Sequence, residues 1–155
     1  MKARSVHAAD DPRLAPFREL RDGARLRARG LLVAESRHVV RRLLGARRFR
    51  LRALLATPRA LEALGPLPPE AAGDAEVLAA APALLAQVAG HAVHQGCLAL
   101  AERGAEPDAR TLATEAARRG APVVVVEGVA DPRNLGAVFR NARAFGAGAV
   151  LLGPG

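Results

Sequence analysis

Asn134 and Arg140 lie six positions apart in the stretch DPRNLGAVFRNARAFG, residues 131–146. Both residue types can hold an anionic or hydroxyl-bearing substrate. An asparagine at a helix start caps free N–H groups, and those groups can also meet an anion. Gly136, in the first turn, permits close approach of backbone or ligand. On a helical wheel Leu135, Val138, Phe139, Ala142 and Phe145 share one face, expected to pack on a sheet. Arg140 falls roughly 160° from the centre of that face and Arg143 about 60° beside it, both turned away from the core. Arginine stays protonated, so its chemistry is to grip phosphate and stabilise negative charge rather than to accept a proton.

The elements around this stretch form one β-loop-α-β unit. PVVVVEG (122–128) is an uninterrupted valine strand, which predicts burial on both faces as in a parallel sheet. Asp131-Pro132 turns the chain just past the C-terminal end of that strand, where open α/β sheets place ligands. A helix from about 134 to 145 follows, ended by Gly146, and then a strand AVLLG. Each residue also has a purely structural reading. Asn134 can be only a cap, Gly136 a packing glycine and Arg140 a solvated arginine, while Glu127 and Asp131 can simply end a strand and shape a turn.

Upstream, the pattern alternates. Asp10 or Asp11 before Pro12 marks a helix start, and a basic, broken helical stretch runs to Gly30. LLVAE (31–35) is a short strand. Ser36 can cap RHVVRRLLGA, in which Val39, Val40, Leu43 and Leu44 form an apolar stripe. Strands are further expected at 49–57, in AEVLAA and at 96–102, with helices in PRALEALG and PALLAQVAG. This order implies a small α/β sandwich over roughly residues 10–103, with RGAEPDAR (103–110) as linker.

Charge is concentrated in the first part. Residues 1–60 hold 16 Lys/Arg against five Asp/Glu, a net +11, whereas residues 61–155 hold seven against ten, a net −3. Such a distribution attracts a phosphate backbone. However, 22 of the 23 basic residues are Arg in an Ala- and Gly-rich chain, as a GC-rich genome would also produce. With no Trp or Tyr and four Phe, a base-stacking surface is disfavoured, so arginine and backbone contacts would dominate on RNA. No apolar run is long enough for a membrane span and no secretory signal is visible, so a cytoplasmic location is expected. Cys97 is alone, which excludes an intrachain disulfide or a cysteine-based zinc site. His38, His91 and His94 do not read as a metal site. The last two are three apart in an irregular stretch without neighbouring carboxylates, and no metal is expected. The chain has no G-x-x-x-x-G-K-[ST] and no G-x-G-x-x-G, which weakens a nucleotide-phosphate-binding enzyme.

Taken together, Asp-Pro-x-Asn-Leu-Gly-x-x-x-Arg-x-x-x-x-Phe-Gly after a valine-rich strand resembles the first motif of the SpoU/TrmH family of RNA ribose 2′-O-methyltransferases, within the SPOUT superfamily. That match spans about residues 122–153. FRELRDGARLRARGLLVAESRHVVRRLL is similar to the family's substrate-binding domain, a basic helix and then an apolar strand ending in Val-x-Glu. HQGCLALAE resembles that domain's last strand, introduced by Gln-Gly. Ser36 departs from the pattern, since a Gly commonly follows the Glu.

The resemblance implies an α/β fold: a small N-terminal substrate-binding domain, then the first β-α-β part of a trefoil-knot, Rossmann-like methyltransferase domain. The implied boundaries are 1–103 for a basic RNA-binding domain, 104–120 for a linker and connecting helix, and 121–155 for an incomplete methyltransferase portion. The implied reaction moves a methyl group from S-adenosylmethionine to a ribose 2′-OH of rRNA or tRNA, with Arg140 central and Asn134 supporting it. Arg18, Arg21, Arg25, Arg27, Arg29 and Arg143 are the expected RNA contacts. The family's two cofactor-binding motifs, which also build a homodimer interface, are not found within residues 1–155. The expectation is therefore a C-terminally truncated fragment, inactive alone and unable to bind S-adenosylmethionine measurably. The alternative is a noncatalytic RNA-binding α/β module.

Overall fold

Proline at a first helical position, a polar cap before it and glycine after the last turn punctuate this chain throughout. A computed structural model describes residues 3–153 apart from Glu19, Arg21 and Arg47, and of Ala71 the backbone only. Arg21, one of the expected RNA contacts, thus lies outside the described residues. The chain divides into two compact units, Met1–Gly104 and Ala105–Gly155.

The first unit opens with β1 (Arg4–Ser5), a 3-10 turn (Pro12–Leu14), α1 (Ala15–Arg18) and α2 (Gly23–Ala28). It continues through β2 (Leu31–Glu35), α3 (Arg37–Gly45), β3 (Leu51–Ala56), α4 (Pro58–Leu64), α5 (Pro69–Ala72) and β4 (Glu76–Ala79). Then come α6 (Pro82–Ala89), a 3-10 turn (His94–Gly96) and β5 (Cys97–Glu102). The sheet order is β1-β4-β3-β5-β2; β1, β4 and β3 run parallel, and β5 is antiparallel to both β3 and β2. Side chains alternate along the strands, and this sorts the core onto two faces. Leu98 and Leu100 join Leu14, Phe17 and Leu85 on one; Cys97, Ala99 and Ala101 join Val40, Leu43 and Leu54 on the other. With helices packed into both clusters the unit is an α/β sandwich, as expected. Phe17 and Leu14 are fully buried, and burial of each such side chain contributes about 1.5–3 kcal/mol.

Local chemistry sets the boundaries. Asp11 accepts from Arg13 N, Asp22 from Arg25 N, Ser36 from Val39 N and Thr57 from Ala60 N, each a side-chain cap. Two expectations fail here. Val39 is 48% exposed rather than part of the buried stripe, whereas Val40 is fully buried; Val39 lies about 100° round α3 from Val40, at the edge of the stripe. The sandwich also starts earlier than residue 10, because β1 pairs with β4 and Val6 N donates to Ala79 O.

The second unit comprises α7 (Ala109–Arg118), β6 (Val123–Val126), α8 (Pro132–Ala144) and β7 (Ala149–Leu152). β6 and β7 pair in parallel, Val123 opposite Ala149 and Val126 opposite Leu152. α7 packs closely where the chain enters β7: a Cβ on Gly148 would lie 2.7 Å from that of Ala116, which is fully buried. The valine strand is not covered on both faces as its sequence predicts. Val125 is 70% exposed, because two strands and their helices are too narrow to enclose it. Phe139 and Phe145 are likewise not buried against a sheet as expected; they are 45% and 83% exposed. At about 1.5 Å per residue α8 is about 20 Å long, whereas four-residue strands span only about 13 Å. The helix overhangs, and Phe145 sits at its C-cap. Among the described residues no helix is long and apolar enough to cross a membrane.

Candidate functional site

α8 begins at Pro132, two residues earlier than the sequence pattern predicts, and its cap lies three residues before Asn134. Asp131 is the cap, its carboxylate accepting from Arg133 N at 2.8 Å, and Pro132 takes the first helical position. The reason is physical: an Asp immediately before a Pro offers both an acceptor and a preset φ, so it outcompetes Asn134 for the cap. Arg133 Nη2 also pairs with Asp131 at 2.9 Å. These side-chain and backbone hydrogen bonds hold the Asp131 carboxyl below the usual carboxylate range. Asn134 is therefore a first-turn residue rather than a cap. It is exposed, and its amide makes no hydrogen bond among the described residues.

Arg140 is exposed and has no ion-pair partner among the described residues. Helical side chains lean toward the helix N-terminus, and Arg140 follows that rule. Its Nη1 lies 3.3 Å from where a Cβ on Gly136 would stand. The glycine thus leaves a shelf for the guanidinium one turn nearer the start of α8. Seven positions before Arg140, Arg133 shares its side of the helix; Arg143, exposed as well, lies about 60° away. The result is an arginine stripe beside an exposed asparagine, just past the C-terminal end of β6. Such a surface can hold a phosphate and stabilise developing negative charge on oxygen.

The expected RNA contacts of the first unit are placed unevenly. Arg18, Arg25, Arg27 and Arg29 are all exposed, on or beside α1 and α2. Arg18 donates to Ala9 O at 2.5 Å and Asp11 O at 2.9 Å, so it braces the N-terminal turn. Arg29 lines a cavity of about 560 Å³ together with Arg13, Arg52, Glu76 and Glu102. There the charges are mixed, and Arg52 pairs with Glu102 at 3.2 Å.

One cluster was not visible in the sequence. Glu35 accepts from His94 N at 2.8 Å and from His91 Nε2 at 3.1 Å, so these histidines do have a carboxylate neighbour. The β2–β5 register brings Glu35 opposite Leu98 and hence to the His94–Gly96 turn; 56 residues of separation hide this. Burial raises the Glu35 carboxyl, but the hydrogen bonds from His94 and His91 outweigh it and leave the group below its ordinary value. Among the described residues no three His, Cys, Asp or Glu converge as metal ligands. Burial pushes the Cys97 thiol up to about 12 against the opposing charge of Arg37, which marks it as a core residue.

No protein-family model matches the chain. It is 38% identical over 151 residues to proteins of Mycobacterium bovis and Mycobacterium tuberculosis that are named as uncharacterized tRNA/rRNA methyltransferases. The match covers 94% of this chain and 50% of each relative, so the chain spans about half their length. Among solved structures, it is similar to an RNA 2′-O ribose methyltransferase, with TM-score 0.64, 24% identity and coverage of 98% of this chain and 56% of that one. A Porphyromonas gingivalis protein assigned to the TrmH family of RNA methyltransferases gives TM-score 0.69 at 23% identity, with 97% and 53% covered. The SpoU methyltransferase AviRb of Streptomyces viridochromogenes, solved with AdoMet, gives 0.66 at 20% identity, with 92% and 52% covered. At these identities the likeness to solved structures is one of fold.

Proposed function

We propose that this chain, a homologue of tRNA/rRNA methyltransferases with the fold of the SpoU/TrmH enzymes over the half it spans, supplies the RNA-engaging part of an RNA ribose 2′-O-methyltransferase. The observation that carries the reading is Arg140, unpaired and laid over Gly136 on the exposed side of α8. In this role its guanidinium grips a phosphate beside the target ribose and orients the hydroxyl. It also stabilises the negative charge that develops on that oxygen as the proton leaves. Asn134 supports the same region from the first turn, and the exposed arginines of α1 and α2 contact phosphates of the RNA independently.

S-adenosylmethionine is the methyl donor in this proposal, in keeping with the AdoMet-bound SpoU structure; it supplies an electrophilic methyl group on sulfur. Among the described residues no buried side-chain nitrogen or oxygen lacks a partner. Residues 105–153 thus hold no orphaned buried polar side chain for the cofactor to satisfy. A homodimer is the proposed assembly of the complete enzyme.

The test is single-turnover methylation of rRNA and tRNA by the full-length enzyme, with Arg140→Ala and Arg140→Lys beside the wild type. Methylated product resists alkaline cleavage at the modified ribose. Losses of about 10²–10³-fold are expected, the scale for removing one preorganised donor to a developing oxyanion. If both variants keep near-wild-type rates, the assignment of Arg140 is lost. Tight RNA binding with no methyl transfer by the wild type favours the noncatalytic RNA-binding module instead, a reading that rests on the compact, basic first unit.

A further inference from the structure

A second cavity in the first unit, of about 330 Å³, lies where β3 ends and β5 begins. Arg37 and Arg59 line it with Thr57, Gln95, Pro82 and Val93, and among the described residues no carboxylate does. Its volume is at the small end of the roughly 300–1,000 Å³ typical of ligand sites. Its charge distinguishes it from the mixed Arg/Glu cavity beside Arg29. The two are at opposite ends of the sheet, because Leu31 at the start of β2 lines the first and Arg37 follows the end of β2. Five strand residues separate them by about 13 Å.

The polar groups here are preset. Arg37 N donates to Gln95 Oε1 at 3.1 Å, which turns the amide so that both its N–H bonds remain to donate elsewhere. Gln95 itself sits in the left-handed region at φ 57, and Gly96 follows at φ 62. Thr57 Oγ1 accepts from Ala60 N at 3.2 Å and keeps its own proton for a ligand. Pro82 and Val93 give the cavity an apolar wall. Neither guanidinium has an ion-pair partner among the described residues.

We infer that this cavity takes one unpaired nucleotide of a structured RNA. Its phosphate lies between Arg37 and Arg59, its base rests against Pro82 and Val93, and the Gln95 amide donates to the base edge. The inference deepens the RNA-engaging role proposed above and rests on it. Sequence-specific RNA recognition works on splayed-out bases, whose edges are free to accept hydrogen bonds from a side-chain amide. That suits a cavity that sets a preset amide and two guanidiniums beside an apolar wall. Arg29 lies one strand length away, so an RNA can reach both ends of the sheet within a few nucleotides.

The test is fluorescence anisotropy of the chain with two hairpin RNAs, identical except that one carries a single bulged nucleotide. The wild type is expected to prefer the bulged hairpin. The double variant Arg37→Gln/Arg59→Gln should weaken binding of the bulged hairpin by about 10–100-fold, the scale of one or two charge-assisted hydrogen bonds, and leave the plain hairpin nearly unchanged. Thermal melts check that the variant folds. Independently, 4-thiouridine in the bulge of the wild-type complex should crosslink to peptides containing residues 57–60 or 93–97. Equal losses on both hairpins, no loss on either, or crosslinks elsewhere overturn the inference while leaving RNA binding intact. Adenosine monophosphate binding as tightly as the bulged RNA also overturns it, by showing a site for free nucleotides. If the wild type binds neither hairpin, the RNA-engaging reading falls together with this one.

Discussion

Replacing Gly96 by alanine should destabilise the first unit through two separable effects. Gly96 sits at φ 62, and an alanine held there costs about 1–2 kcal/mol. Its Cβ would also lie 2.8 Å from Thr57 Oγ1 and 2.9 Å from Thr57 Cγ2. Thr57 cannot yield easily. It is buried, its Oγ1 caps α4 through Ala60 N, and its own N–H donates to Gly96 O at 2.9 Å. Displacing it forfeits a cap worth about 1 kcal/mol. The total is about 2–3 kcal/mol, or about 8–24 °C in Tm for a unit of this size. The thiol of Cys97 reports on this unit alone, being fully buried beside the substitution, so urea unfolding can be followed by its labelling. In a Thr57→Ala background both clashing atoms are gone, and Gly96→Ala should then cost only the backbone strain. The cycle should therefore give a coupling energy of about 1 kcal/mol. A cost below about 1 kcal/mol in the wild-type background, or equal costs in both backgrounds, would refute the reasoning.

Ser36 caps α3 only through a 3.4 Å bond yet is held at φ 80, a conformation open to glycine. Ser36→Gly should stabilise the first unit by about 1 kcal/mol after the lost cap, read as a higher urea midpoint. Gly136→Ala should raise helix stability by about 0.5–1 kcal/mol but lower methyl transfer by the full-length enzyme, because the added Cβ crowds Arg140 Nη1 at 3.3 Å; a gain or no change in rate contradicts the shelf. The Glu35 carboxyl is held below its ordinary value of 4.5 in the fold, so its contribution is present above the unfolded value and is lost as pH falls through the folded one. Urea midpoints should accordingly drop below about pH 4.5, and Glu35→Gln should flatten that part of the profile. Cys97, with its thiol pushed up to about 12, should resist disulfide reagents in the native protein and react at once in urea; rapid native labelling would show the core to be open.

Much of the fold was legible because caps and alternation are local. Ser36 stands directly before the helix it starts, and the short apolar run at 96–102 reads as the strand it forms. β1 was not legible, since two exposed residues carry no periodicity. Asn134 was misplaced as the cap because a wheel drawn from the apolar residues does not weigh Asp131-Pro132 just upstream. Phe139 and Phe145 lie about 120° apart, at the two edges of the apolar face, and what a helix face covers depends on the width of the sheet beneath it. The valine strand fails for the same reason. In the candidate site, the exposure of Arg140 followed from spacing alone, whereas its position over Gly136 needed a rotamer. The Glu35, His91 and His94 cluster and the Arg37–Gln95 bond join residues 56 to 59 positions apart. Only strand register creates those contacts.

The central claim is that these residues engage RNA through its phosphates, with the arginine-rich first unit as the main surface. Affinity of the 155-residue chain for structured rRNA or tRNA, measured between about 50 and 200 mM salt, tests this directly. Contact with three or more phosphates predicts a log–log slope steeper than about −2. A slope near zero, or no binding at about 50 mM salt, would contradict the account.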